Sequence, residues 1–185
     1  MKFLKYVAPL SLVVASLAYA APHEKSFYAE GNIGASLYSL VKYIPNYNYS
    51  EHVGVGLNIN LGYLFNRYVA TEIGYTRYNL GGNNNAPNGV DLAAKFIYPF
   101  NVANHDLNVF AKIGPTYIFQ RVTGTQTGGS GSRLRKSAGT LIGVGAAYQV
   151  TPKLDLNAQA QDSFIYFDSR NPTLFSVGLT YHFDM

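Results

Sequence analysis

Near the end of the chain, Phe175, Val177, Leu179, Tyr181 and Phe183 alternate with Ser176, Gly178, Thr180 and His182. Successive side chains of a β-strand point to opposite faces, so this run sets large apolar groups on one face and small or polar groups on the other. A helix of the same sequence would scatter both sets around its axis. The segment therefore commits the chain to a sheet with one apolar face.

Seven further segments repeat the pattern between turn residues. The first runs from Phe27 to Leu37, with Phe27, Ala29, Ile33, Ala35 and Leu37 facing away from Glu30, Asn32 and Ser36. In the second, Val53, Val55, Leu57, Ile59, Leu61 and Tyr63 oppose Gly54, Gly56, Asn58, Asn60 and Gly62. The third sets Val69, Thr71, Ile73 and Tyr75 against Glu72, Gly74 and Thr76, and the fourth sets Val90, Leu92, Ala94, Phe96 and Tyr98 against Asp91 and Lys95. Leu107, Val109, Ala111, Ile113 and Tyr117 oppose Asn108, Lys112 and Thr116 in the fifth. The sixth turns Thr140, Ile142, Val144, Ala146 and Tyr148 away from Gly143, Gly145 and Gln149. The seventh is the weakest, with Leu154, Leu156, Ala158 and Ala160 against Asp155, Asn157, Gln159 and Gln161. Pro115, on the apolar face of the fifth, donates no ladder hydrogen bond and predicts a bulge or weak pairing near the outer rim.

Alternation alone does not say which face looks outward. A soluble barrel would hide the apolar face and wet the polar one. Here the polar face is mostly Gly, Asn, Gln, Ser and Thr, where a soluble surface needs Lys and Glu. Each apolar stripe implies ~9–11 residues of strand, the length that crosses a bilayer at a tilt. The connections alternate too: Leu64 to Arg67, Pro99 to Asp106 and Thr151 to Lys153 are short, whereas Ser39 to Ser50, Asn79 to Asn88, Gln120 to Lys136 and Asp162 to Pro172 are longer. Short periplasmic turns and long external loops are the pattern of membrane barrels. The expected fold is all-β, an eight-stranded antiparallel up-and-down transmembrane β-barrel with short periplasmic turns and longer extracellular loops.

The N-terminus agrees. Lys2 and Lys5 precede an apolar run from Tyr6 to Leu17, too short to span a bilayer, and Ala18-Tyr19-Ala20 is a small-x-small cleavage site. Residues 1–20 are expected as a secretory signal peptide and 21–185 as one outer-membrane barrel domain. Cleavage removes Lys2 and Lys5 and lowers the formal charge from +4 to roughly +2, which gives little reason to expect nucleic acid as a partner. The chain has no cysteine, which excludes a disulfide framework, a thiol nucleophile and a Cys-based metal site.

An eight-stranded barrel is only wide enough for its own side chains to fill it. The inward glycines, Gly62, Gly143 and Gly145 among them, make room for inward Tyr28, Tyr68 and Phe110. Five charges also point inward: Glu30, Glu72, Asp91, Lys95 and Lys112. Counting from the turns sets Glu72 near the height of Lys95 and Asp91 near that of Lys112. Charges away from bulk water must pair, so a polar network that plugs the lumen is expected and an open pore is not.

The whole mature chain resembles the small bacterial outer-membrane barrels of the opacity, OmpX and OmpA transmembrane type. The likeness rests on the topology, the asymmetry of turns and loops, and the closing strand, which in that family is also the assembly signal and usually ends on the final Phe. Here Asp184 and Met185 follow Phe183. The resemblance implies the outer membrane of a Gram-negative bacterium and loops that mediate adhesion, host interaction or envelope integrity; because the chain stops at the barrel, no second domain for peptidoglycan is expected. Some barrels of this size are lipid A enzymes that use a His with an Asp-Ser pair or a His-x-Ser-Asn motif. The second motif is absent. His52 and the pairs Asp162-Ser163 and Asp168-Ser169 fall on strands two and seven, well apart around the ring. His23, His105 and His182 lack metal-ligand spacing, so no enzyme, cofactor or metal is expected.

The loops then carry the binding candidates. The first holds Tyr43, Ile44, Tyr47 and Tyr49, an exposed aromatic surface or part of the interfacial girdle. The third is rich in Gly, Ser and Thr, hence flexible, and carries Arg121, Arg133, Arg135 and Lys136. Those cations suit lipopolysaccharide phosphates in the same leaflet, or sulfated and acidic host glycans. Arg77 sits at the outer end of strand three on the lipid side and can snorkel to the same phosphates. A non-catalytic surface protein is the expected function. A lipid A-modifying enzyme and a small-solute channel are the alternatives.

Overall fold

The structure, a computed structural model, describes residues 25–40, 50–81, 86–102, 105–126, 129–165 and 171–183, with backbone alone at 39–40, 50–51, 101–102, 105, 122–126 and 129–133. Eight strands follow in chain order: β1 (Ser26–Leu40), β2 (Ser50–Asn66), β3 (Val69–Arg77), β4 (Asn88–Val102), β5 (His105–Gln126), β6 (Gly129–Thr151), β7 (Leu154–Ile165) and β8 (Thr173–Phe183). Each pairs antiparallel with its sequence neighbour, and β1 pairs with β8 to close the barrel. The eight segments read from alternation are these eight strands, and β7 pairs along its whole length with both neighbours. A hydrogen-bonded row that leaves β1 at Ser26 passes through Lys95, Lys112 and Leu174 and returns to β1 at Ser36, a stagger of ten residues. That stagger tilts the strands, so every such row climbs toward the outer end as it runs from β1 to β8.

Burial is inverted relative to a soluble protein. Phe27, Ile33, Leu61, Ile73, Leu92, Phe96, Ile113, Val144, Val177 and Leu179 are exposed, whereas Glu30, Asn32, Asn58, Asn60, Glu72, Lys112, Asn157 and Gln161 are buried. An apolar belt of this kind is stable in hydrocarbon, where a closed ladder leaves no edge of unpaired backbone groups. Aromatics mark both rims. At the periplasmic end Phe27 meets Tyr63 at 4.9 Å, Tyr98 meets Phe100 at 4.6 Å and Tyr181 meets Phe183 at 5.1 Å. Tyr75, Tyr117, Phe164 and Phe175 are exposed on the same outward face toward the other end. Such rings sit at the headgroup level on each side of a bilayer.

Two sequence expectations need correction, and a third is narrowed to one of its alternatives. The segment from Gln120 to Lys136 is not a loose loop. β5 and β6 run for 22 and 23 residues, and their ladder continues from Phe119↔Lys136 to Gln126↔Gly129. The other neighbours stop earlier, β4 at Asn88 opposite Phe119 and β7 at Ile165 opposite Gly139, so a two-stranded ribbon stands beyond the rim. Tyr68 does not point inward: it lies in the two-residue turn after β2, exposed, with the Arg67 guanidinium 4.6 Å from its ring centre. At Pro115 the expected weak pairing is found, without a bulge. The β4–β5 ladder breaks between Asp91↔Thr116 and Ala94↔Ile113 while the register stays the same on both sides. A Cβ on neighbouring Gly114 would collide with the backbone of Leu92 and Ala93, so this close approach requires glycine.

Candidate functional site

Two regions hold the charged and polar groups that the sequence singles out, the lumen and the ribbon. The lumen is built in layers because inward positions recur every second residue on all eight strands. In the middle layer Glu30 accepts hydrogen bonds from Asn32 Nδ2 (2.7 Å), Asn60 Nδ2 (2.9 Å), Lys95 Nζ (3.1 Å), Gln159 Nε2 (3.3 Å) and the Thr180 hydroxyl (3.3 Å). Glu72 accepts from the Tyr28 hydroxyl at 2.7 Å and from Lys95 Nζ at 2.8 Å, and its second oxygen lies 3.6 Å from Lys112 Nζ. Two carboxylates thus face two ammonium groups, and a third buried carboxylate, Asp91, lies on the outer side of the layer. Lys95 also rides over the Phe110 ring at 4.2 Å. Asn58 and Thr76 extend the network outward.

Asp91 is not paired with Lys112 as counting from the turns suggests. The register sets Lys112 opposite Lys95 and Asp91 opposite Thr116, and Lys112 closes its ion pair with Glu72. The count sets the β4–β5 turn at Pro99 to Asp106, whereas the ladder runs on to Val102↔His105, which shifts the register by two residues. Inward glycines make room for the large groups: a Cβ on Gly62 would strike the Tyr28 ring, one on Gly145 the Phe110 ring, and one on Gly143 the Lys112 stem.

Above this layer an apolar plug of Tyr38, Tyr78, Ala86, Ile118 and Leu174 closes the outer mouth. Tyr78 enters from the β3–β4 connection, its hydroxyl 3.0 Å from the Ser163 hydroxyl and its carbonyl accepting from Ser36. The Tyr38 hydroxyl accepts from Asn79 Nδ2 at 2.7 Å. The sequence reading missed this plug. Its signal was the apolar residues Ile118 and Leu174 at inward positions, where the alternation demands polar ones. Below the charged layer a cavity of about 360 Å³ lies among Tyr28, Arg67, Lys95, Phe110, Asp155 and His182. There His182 Nε2 meets Asp155 Oδ2 at 3.0 Å.

The residues weighed for catalysis are not brought together. The His52 ring stacks on Tyr38 at 5.8 Å, while Ser163 pairs with Tyr78. β2 and β7 are not neighbours, and Asp162 and Ser163 point to opposite faces of β7. Asp168, Ser169, His23 and the first-loop aromatics Tyr43, Ile44, Tyr47 and Tyr49 lie outside the described residues. Among the described residues no cluster of His, Asp or Glu has the makings of a metal site.

The ribbon distributes its cations over two faces. Tyr117 and Arg121 are exposed on the lipid side of β5, while Ile118 and Gln120 between them are buried. Lys136 pairs across from Phe119 and Leu134 from Arg121, so Lys136 shares the lipid-side face with Arg121. Arg135 pairs with Gln120 and Arg133 with Val122, register positions of the opposite face.

Residues 6–183 match the family model of the outer membrane protein beta-barrel domain. Outer membrane protein A of Salmonella typhi is 28% identical over 184 residues, covering 91% of this chain and 51% of its own length. The chain therefore spans about half the length of the curated relatives it matches. Among solved structures, the N-terminal β-barrel domain of Pseudomonas aeruginosa OprF superposes with a TM-score of 0.57 at 15% identity, covering 86% of this chain and 98% of that one. Ail, the attachment invasion locus protein of Yersinia pestis, in complex with the heparin analogue sucrose octasulfate, superposes with a TM-score of 0.50 at 14% identity, covering 87% of this chain and 100% of that one.

Proposed function

Since the chain belongs to the outer membrane protein beta-barrel family and resides in the outer membrane of a Gram-negative bacterium, we propose that it is a non-catalytic surface protein whose β5–β6 ribbon attaches the cell to sulfated or acidic host glycans. One observation carries the reading: the ribbon continues as paired ladder after its neighbours have ended, and it bears Arg121, Arg133, Arg135 and Lys136. A paired ribbon fixes the backbone that carries its cations, so less entropy is lost on binding than from a flexible loop. Guanidinium groups favour sulfate and carboxylate through two parallel hydrogen bonds. Ail, which shares the fold, has been solved with a heparin analogue, but the case rests on this ribbon's own residues.

The test displays the protein on a non-adherent bacterium, intact and with residues 119–136, which include all four cations, replaced by a two-residue turn between Ile118 and its partner Ser137. Binding to heparan-sulfate-coated surfaces is expected from the first and lost from the second. Equal binding by both, with surface exposure matched, sinks the proposal. The enzyme alternative has no observation in its favour; mass spectra of lipid A that differ between cells with and without the protein would revive it. The channel alternative is opposed by two seals in series, the ion-paired layer and the plug around Tyr78.

A further inference from the structure

Asn60 (β2), Gly74 (β3) and Asp91 (β4) form one row of the barrel wall on the outer side of the ion-paired layer. The middle member has no side chain, so a niche opens between the other two. A Cβ at Gly74 would meet Asn60 Oδ1 and Asp91 Oδ1 at 2.5 Å each, so the two oxygens are at most twice that distance apart. Asn60 Nδ2 donates to Glu30 Oε1 at 2.9 Å and to Asn58 Oδ1 at 2.8 Å, which turns its amide oxygen toward Gly74. That oxygen accepts from Asn58 Nδ2 at 3.0 Å and keeps a second lone pair. No hydrogen bond or ion pair reaches the Asp91 carboxylate from a described residue. On the outer side of the niche, Gln161 Nε2 donates at 3.0 Å to Thr76 Oγ1, one pleat above Gly74. Gln161 Oε1 is buried there without a hydrogen-bond partner.

The charges of the lumen are also unequal. Among the described residues the buried carboxylates are Glu30, Glu72, Asp91 and Asp155, and the buried ammonium groups are Lys95 and Lys112. Asp155 lies in the periplasmic cavity with His182 as its partner. Between that cavity and the plug of Tyr78 and Leu174, three carboxylates therefore face two ammonium groups. An uncompensated charge in a closed interior is strongly unfavourable. The groups that converge on the niche are carboxylate and amide oxygens, the ligands that hard cations take. A divalent ion would reverse the imbalance, whereas a monovalent ion cancels it.

We propose that the niche over Gly74 holds one Na+ ion, bound by Asp91 Oδ1 and Asn60 Oδ1 with Gln161 Oε1 on its outer side, and enclosed as the barrel closes. This inference is independent of the attachment reading. It gives Asp91 the partner that neither lysine supplies, and it keeps the lumen sealed.

The test refolds the full chain into phospholipid vesicles in NaCl or choline chloride at equal ionic strength, choline being too bulky for the niche. Urea midpoints are read by gel mobility as Na+ replaces choline. Above half-saturation, each tenfold rise in Na+ is expected to raise the wild-type midpoint by about 0.7 M urea. Asp91→Asn keeps the shape of the side chain and removes its charge, and its midpoint is expected to ignore Na+. Gly74→Ala, which fills the niche, is expected to do the same, while Asp106→Asn in the periplasmic cavity leaves the dependence unchanged. The rival balance is a proton on Asp91. Infrared difference spectra between wild type and Asp91→Asn, in NaCl at neutral pH, are expected to show loss of a carboxylate band. Loss of a protonated-carboxyl band instead overturns the proposal. So does a wild-type midpoint that is flat from ~1 to ~300 mM Na+, or an Asp91→Asn midpoint that still follows the ion.

Discussion

Replacing Lys95 by Met removes the ammonium that joins Glu30 at 3.1 Å and Glu72 at 2.8 Å. The layer then holds two carboxylates against Lys112 alone, whose Nζ lies 3.6 Å from Glu72. Removing one partner from a buried ion pair costs about 3–5 kcal/mol. The Met side chain keeps the apolar contact with the Phe110 ring, and Lys112 can close on Glu72, so the lower end, about 3 kcal/mol, is expected. The chain has no Trp, so unfolding by urea in phospholipid vesicles is best followed by gel mobility. With a slope of about 2 kcal/mol per molar urea, the midpoint falls by about 1.5 M. Adding Glu30→Gln leaves a single neutral pair, Glu72 with Lys112, and should recover at least half of the loss. A shift below about 0.3 M for the single variant, or a double variant as weak as the sum of its parts, refutes the reasoning, because coupled charges in one network are not additive.

Other consequences follow from the same layers. In planar bilayers the purified protein should show no steady single-channel conductance; a constant open level that Lys95→Met alters would contradict the sealed lumen. Ile113→Arg, at mid-height on the lipid face, should cost about 2–4 kcal/mol in vesicle unfolding, and Tyr117→Arg at the outer rim at most about 1; equal costs would mean the belt is misplaced. Gly62→Ala forces a methyl into the rigid Tyr28 ring, whereas Gly143→Ala meets only the flexible Lys112 stem. The first should lower stability by about 1–3 kcal/mol and the second by clearly less, a ranking that thermal unfolding in micelles can reverse or uphold.

What the sequence made legible, and what it hid, follows from where the alternation holds. Between the rims each strand must present one face to lipid and one to the lumen, so a residue's parity gives its direction, and Glu30, Glu72, Lys95 and Lys112 are read inward from parity alone. Beyond the outer rim both faces of the ribbon meet water and the constraint lapses. Gln120 to Lys136 therefore reads as a flexible loop, although β5 and β6 pair from Phe119↔Lys136 to Gln126↔Gly129. Tyr68 was misdirected because parity was carried into a turn, where it has no meaning. The closure of β1 on β8 and the stagger of ten residues are global properties with no local signature. The Asp91–Lys112 match fails for a local reason: the β4–β5 ladder runs past Pro99 to Val102↔His105, which sets Lys112 beside Lys95 and within reach of Glu72. Tyr78 escaped notice because it belongs to a connection that folds back into the mouth, where no repeat announces it.

The central claim is that the β5–β6 ribbon stands outside the cell while the two-residue turns face the periplasm. A chain with no cysteine of its own lets single cysteines report this without background. Gln126→Cys on the ribbon and Lys153→Cys in the β6–β7 turn would be treated with a membrane-impermeant maleimide, on intact cells and again after lysis. The account predicts labelling of position 126 on intact cells and of position 153 only after lysis. Labelling of 153 on intact cells, or protection of 126 until lysis, would contradict it.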